Sequence, residues 1–450
     1  MAMTKQQTKE QKHVVDIFNK VSSSCLAYKK HLESYKIDCK KINFLDLPIC
    51  DKDGYTQKYS LEDRMYEGKC LADYYMICTS SGSTAEPTIW PRDYDYDQGL
   101  EPPHTRFLEN HFSFTKKKTL IIIAFGIGTT QAGMMHVKAS WEGSIHGKIS
   151  VITPNADAAQ TVFLLDKLHS YYEQIITIGY PPIIADFIDL SIEKKLPINK
   201  WNLKIIFAGE SVSPLWRKEM AKKIGGTSRD IVSFYGSTEA GMIGFESKEI
   251  NQLVSLCLDN EELRFDLFKT FNLPTVVEVD FLKKFTEIVN GEIVITVDQV
   301  IPLVRYNLHD RGVILDSKHI QKVLDKHKIN FIYPKNKKSL VIYGRNLSRK
   351  TSIEDLQNSF AILNLDRYFY KEFQYEEEQT NKSLNLKIIF YSKDGVDLNA
   401  KELKKLTEKF EKSVSKLISA HLPILITIKI VNEKKRIGYQ SGKLRYLITK

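Results

Sequence analysis

Four short strings in this chain carry side chains that could do chemistry together, although each is a weak signal alone. Ser80-Ser81-Gly82-Ser83-Thr84-Ala85-Glu86-Pro87 is a hydroxyl-rich turn with a glycine. Such a turn can wrap an anion with backbone N–H groups and hydroxyls. It lacks the Gly-Lys-Ser/Thr ending of a Walker A loop, and a serine-rich turn can equally be only a loop. Tyr235-Gly236-Ser237-Thr238-Glu239 offers a carboxylate able to hold a divalent cation, with an aromatic ring and a hydroxyl beside it. A solvated glutamate on a glycine-flanked turn is the plainer alternative. Arg305-Tyr306-Asn307-Leu308-His309-Asp310 ends in a carboxylate suited to accepting from two neighbouring hydroxyls, though aspartate also populates polar turns for purely local reasons. Ser441-Gly442-Lys443 supplies a flexible ammonium, in a basic C-terminus where a Gly-Lys pair usually faces solvent.

The elements that must position these groups can be read from periodicity. Between Lys118 and Phe234, short β-rich apolar runs alternate with amphipathic segments, the pattern of βαβ units and a parallel sheet. The runs predict strands at 119–125, 148–152, 174–178, 203–207 and 230–234, with helices at 156–169, 182–191 and 214–224. The last two helices carry proline in the first turn. The fold class is therefore α/β, a doubly wound, mainly parallel sheet whose strands end in loops where ligands bind. Phe207-Ala208-Gly209-Glu210 is one such strand-to-helix turn. Residues 276–297 predict two strands about an Asn290-Gly291 turn, opening a smaller β-rich subdomain. Arg305, Tyr306 and Asp310 are expected in a turn after Ile301-Pro302-Leu303-Val304. Beyond a strand-turn at 341–349, a strand at 384–391, a helix at 400–417 and a strand at 424–431 form a compact α+β unit. The expected division is a large domain over 1–343 and a small C-terminal one over 344–450, without internal repeats.

Composition narrows the class. A chain of 450 residues, 42% apolar and 27% charged, is globular and long enough for large cores. The charged start MAMTKQQTKEQKH lacks the apolar stretch of a secretory signal, and the apolar run at 120–127 is far too short to span a bilayer. A soluble cytoplasmic protein without membrane insertion is expected. Cysteines 25, 39, 50, 70, 78 and 257 form no CxxC pair, which predicts reduced, structural thiols. The net charge of +10 suits phosphate-bearing ligands or a nucleic-acid partner. Scattered lysines, with Lys116-Lys117-Lys118 read as a solvated face, argue against nucleic acid. The chain has no Gly-x-Ser-x-Gly elbow and no kinase set of motifs, so serine hydrolase and kinase chemistry are not expected.

In this order and roughly at these intervals, the four strings resemble the superfamily that activates carboxylic acids as acyl-adenylates, and within it the phenylacetate–coenzyme A ligase branch. The likeness runs from Ser80 to Tyr343 and thins beyond. It implies an ATP-dependent ligase with a mobile C-terminal lid, using Mg²⁺ and coenzyme A. By resemblance Ser80, Ser81, Gly82, Ser83 and Thr84 form the phosphate loop, although the family has glycine where Ala85 stands. Gly209 and Glu210 flank the adenine and the acyl pocket. Tyr235 stacks on adenine with Gly236 and Ser237 alongside, Thr238 contacts phosphate, and Glu239 binds magnesium. Asp310 holds the ribose, with Arg305 in the same string. Arg345 belongs to the interdomain hinge, and Lys443 is the catalytic lysine.

Two departures stand out. Asn346 follows the Gly344-Arg345 pair where the family has Asp or Lys, and the glycine-containing loop after it is missing. That loop lies where relatives form the thiol channel, so a carrier protein, an amine or a protein residue competes with coenzyme A as acceptor. Some relatives bind zinc near the position of Cys257, but no histidine or second cysteine accompanies it here, so no zinc is expected. The other partner is a small carboxylic acid, aromatic if Tyr171, Tyr172 and Tyr180 line its pocket, and a homodimer is left open. A non-catalytic nucleotide-binding member of the fold is the rival from another class.

Overall fold

The computed structural model describes residues 5–39, 41–74, 76–80, 87–93, 101–129, 131–270, 273–348, 351–352, 363, 365, 369–379, 384–392, 399–417 and 424–431. Two short strands, β1 (Met76–Thr79) and β2 (Ile89–Arg92), pair antiparallel on either side of the serine-rich string. Five strands then alternate with helices: β3 (Thr119–Ala124), β4 (Ile149–Ile152), β5 (Gln174–Gly179), β6 (Leu203–Phe207) and β7 (Ile231–Ser237). They lie in the order β4-β3-β5-β6-β7, every pairing parallel.

Sequence dictates this half directly. Every residue of β3 and β5 is buried, as a parallel strand covered on both faces requires. Leu120 and Ile122 enter one core with Phe187 and Met220, while Ile121 and Ile123 enter another with Phe107 and Phe234. The helices that supply those cores start cleanly. Ala158–Leu168 is capped by the Asp157 side chain, which accepts from the Gln160 N–H, and Pro214–Lys223 by Ser213, which accepts from the Trp216 N–H. Pro181–Glu193 begins on proline, whose missing N–H costs nothing at that position.

The sheet changes character at β7. It continues antiparallel through β8 (Gly241–Phe245), β9 (Thr275–Val279), β13 (Lys338–Ser348), β12 (Leu303–Asp316), β11 (Glu292–Val297) and β10 (Phe285–Val289), in that spatial order. A two-residue strand, β14 (Thr351–Ser352), pairs with β13. Asn290 and Gly291 take φ of 52° and 81°, the left-handed pair that closes a tight β10–β11 hairpin. The region read as two strands thus holds three. Helix Lys5–Ser24 covers this half, with Val14, Ile17, Phe18 and Val21 spaced along one face against Ile293, Ile295 and Leu303.

Arg305, Tyr306 and Asp310 lie not in a turn but within the long strand β12, paired to β11 and β13. The polar run Asn307 to Gly312 resembles a turn because His309 bulges at φ 58° and Asn307 bonds Glu292 at 2.6 Å. Strand β13 continues through Gly344 to Ser348 and pairs with β12. The C-terminal segment contains β15 (Phe369–Gln379), β16 (Leu384–Ser392) and β17 (Ile424–Val431), with β16 central. Strand β15 was not expected. Helix Ala400–Leu417 packs Phe410 edge-on against Phe390 of β16, ring centroids 5.6 Å apart. No helix among the described residues is long and apolar enough to cross a membrane.

Candidate active site

The parallel and antiparallel halves of the sheet meet at the C-terminal end of β7, and there the Tyr235 and Asp310 strings converge. Gly236 is required at this junction: a Cβ would stand 2.6 Å from the Gly241 carbonyl of the facing strand. The pairing of β7 with β8 slips at this point, which frees the next residues to turn. Ser237 steadies the turn by accepting from the Ala240 N–H at 3.1 Å. Tyr235 Oη donates to Asp310 Oδ2 at 2.6 Å, joining two strings 75 residues apart. Asp310 in turn faces Arg345 across the β12–β13 ladder, so the Gly344-Arg345 pair lies alongside.

Glu239 stands in the same turn, half-buried. Its carboxylate receives no hydrogen bond or ion pair from the described residues, although its backbone is held firmly. The fully buried Arg92 donates through Nη2 to the Thr238 carbonyl and, at 3.4 Å, to that of Glu239. Gln299 Nε2 donates to the Glu239 carbonyl at 2.7 Å, and Lys284 Nζ to that of Ala240 at 2.5 Å. Three consecutive carbonyls are thereby fixed inward, each to a buried side chain. Nearby, Tyr306 is buried and accepts or donates with Thr56 at 3.0 Å. Burial first, and the Glu239 charge second, push its phenol well above the ordinary value.

The remaining expected residues fall into three groups. Gly209 takes φ 93° just beyond β6, and Glu210 accepts from Tyr180 Oη, so this turn borders the same sheet edge. Tyr180 is buried, whereas Tyr171 is 70% exposed and does not line an interior pocket. Ser80 and Arg305 are occupied structurally. The Ser80 hydroxyl accepts from the Thr88 N–H at 2.9 Å and the Thr88 hydroxyl at 3.1 Å, closing the neck of the β1–β2 hairpin. The Arg305 guanidinium, expected among nucleotide contacts, pairs with Glu287 at 3.2 Å and donates to the Leu45 and Leu47 carbonyls. Ser81, Gly82, Ser83, Thr84 and Lys443 lie outside the described residues, as does the side chain of Arg345. Cys257 sits in an apolar core, its thiol pushed up to about 12 by burial.

Sequence reasoning missed Arg92, Gln131, Lys284 and Gln299. An arginine inside the apolar strand Ile89-Trp90-Pro91-Arg92 was the available signal, since a buried guanidinium demands partners. Nothing local names those partners.

Neither a protein-family model nor a curated protein matches the chain. Solved structures do. A 2-hydroxyisobutyryl-CoA ligase in the postadenylation state, in complex with 2-HIB-AMP, superposes with a TM-score of 0.67 at 14% identity, over 100% of this chain and 90% of that one. The same ligase in its thioesterification state, with 2-HIB-AMP and CoA, gives 0.59 at 13% over 100% and 90%. The GH3.15 acyl acid amido synthetase gives 0.56 at 14%, over 95% and 86%. The chain has the fold of these ligases and synthetases.

Proposed function

We propose that this chain is an adenylate-forming enzyme, which activates a small carboxylic acid with ATP and then passes the acyl group to an acceptor. The observation that carries the reading is the turn at the end of β7. There Tyr235, Asp310 and Glu239 come together, two of them bonded and the third with its carboxylate unengaged among the described residues. The acid's carboxylate oxygen attacks the α-phosphorus, forming an acyl–phosphate bond while the bond to the β-phosphate oxygen breaks and pyrophosphate leaves. Asp310 accepts from the ribose hydroxyls, held in orientation by Tyr235.

Magnesium would need few protein ligands at this site. Among the described residues no cluster of three metal-type ligands exists, and Mg²⁺ needs only one or two carboxylates besides phosphate and water. Glu239 would hold it, where it would offset the charge building on the triphosphate. Lys443, on the small domain, is proposed to stabilise charge at the carboxylate and α-phosphate as they join.

Coenzyme A is the proposed acceptor: a thiolate attacks the acyl carbonyl carbon, a thioester forms and AMP leaves. The 2-hydroxyisobutyryl-CoA ligase supports a thiol, whereas the amido synthetase shows that the same fold serves another acceptor. A phenylacetate-like acid remains part of the proposal through its sequence resemblance. Incubation with ATP, a panel of acids and coenzyme A tests both halves. Acid-dependent AMP release accelerated by coenzyme A supports the thioester; acyl-AMP that accumulates without thioester turns the reading to an amine or carrier protein.

A further inference from the structure

We infer that Arg92 is a positioning residue that sets the Glu239 turn for its metal, an inference that rests on the function proposed above. Arg92 touches neither proposed substrate. It acts through three segments that chain order does not bring together. From β2 its Nη2 reaches the Gln131 Oε1 at 2.6 Å, at the start of helix Gln131–Gly143, as well as the Thr238 and Glu239 carbonyls. Its Nη1 donates to Gln299 Oε1 at 3.2 Å, between β11 and β12. Gln299 closes the ring by donating to the Glu239 carbonyl at 2.7 Å and to that of Ile301 at 3.1 Å.

The consequence is directional. A carbonyl drawn inward fixes its peptide plane, and holding the planes on both sides of a residue sets the direction of its Cα–Cβ bond. With the Thr238 and Glu239 carbonyls both held, the Glu239 carboxylate has a restricted set of positions. A metal that keeps most of its waters gains little from one carboxylate unless that carboxylate is preplaced. The planar fork of arginine can serve carbonyls and a glutamine oxygen at once, which a lysine ammonium on a single stem does not reproduce. The same guanidinium ties strand β2 to the Glu239 turn.

The test measures ATP binding by calorimetry as free Mg²⁺ is varied, alongside thermal unfolding, for wild type, Arg92→Lys, Gln299→Met and Glu239→Gln. A positioning role predicts that folded Arg92→Lys needs about 10-fold more Mg²⁺ for half-maximal enhancement of ATP binding, while metal-free ATP affinity changes less than about 2-fold. Gln299→Met, which keeps the arginine, shows the same shift to a smaller degree. A purely structural role lowers the unfolding temperature and leaves the Mg²⁺ midpoint where it was, and that result in both variants overturns the inference. If Arg92→Lys does not fold, Gln299→Met alone decides. Should Glu239→Gln lose the Mg²⁺ effect while Arg92→Lys and Gln299→Met retain it, only the Arg92 assignment falls. Should wild type show no Mg²⁺-dependent ATP binding at all, the proposed function falls and the inference with it.

Discussion

Glu239 and Glu246 bracket the same short strand, β8, and have opposite fates. Glu246 is fully buried and every lone pair is in use: Arg217 pairs with it at 2.9 and 2.8 Å, Asn251 donates at 2.7 Å, and Ser233 donates from both backbone and hydroxyl. Burial disfavours its charge, yet Arg217 and these donors outweigh it and hold the carboxyl below its ordinary value. Glu239 has its backbone clamped and its carboxylate unengaged by the described residues. One carboxylate ties β7 to the helices beneath it, and the other is presented at the strand end. A charged side chain whose bonds are all internal is architecture, whereas one held by its backbone with its carboxylate left to solvent is the kind of group proposed here to bind a ligand.

That contrast can be broken by exchanging stability for activity. The largest stability effect belongs to Glu246→Ala, which strands the Arg217 guanidinium and should cost about 3–5 kcal/mol in denaturant titrations. Turnover per folded molecule should change little. Glu239→Gln should do the reverse, with stability within about 0.5 kcal/mol of wild type and turnover lowered on the order of 10²-fold, together with a raised Mg²⁺ requirement. Equal stability losses in the two variants would erase the distinction.

The two ends of β7 were unequally legible in the sequence. Its buried start, like β3 and β5, could be read because a parallel strand covered on both faces leaves a run of apolar residues. The Tyr235 and Asp310 strings were singled out by residue type and spacing. Their contact was not foreseeable, since it depends on β12 crossing from the far side of β13. Arg305 shows the limit most sharply. A basic residue in a suggestive string is consumed by Glu287, a partner visible only once β10 and β11 are folded. The N-terminal helix was within reach: Val14, Ile17, Phe18 and Val21 repeat at helical spacing.

A smaller effect tests the Tyr235–Asp310 link itself. Tyr235→Phe removes one hydrogen bond and should weaken ATP by about 0.5–1.5 kcal/mol, whereas Asp310→Ala, which loses the group proposed to touch ribose, should weaken it more. Calorimetric titration with ATP ranks the two, and a reversed order argues that Asp310 serves Tyr235 rather than nucleotide.

The smallest effect separates buried histidines from the carboxylates in pH. His104 and His136 lie 3.5 Å apart, with His136 between the Phe125 and Phe234 rings. Burial lowers the His104 imidazole to about 4 and, with His104 as a second cause, lowers His136 well below its ordinary value. The unfolded chain therefore binds more protons than the native one below the ordinary imidazole value of about 6.5. Stability should fall as pH drops from there toward about 4. In His136→Phe the slope of unfolding free energy against pH should flatten across that window; an unchanged slope would mean that the pair already titrates normally.

Acid-dependent ATP–pyrophosphate exchange measures the proposed adenylation at the Glu239 turn directly. Wild type should exchange label only when the right carboxylic acid is present, and Glu239→Gln, equally stable, should lose most of that exchange. No exchange with any acid, or undiminished exchange by folded Glu239→Gln, would contradict the account.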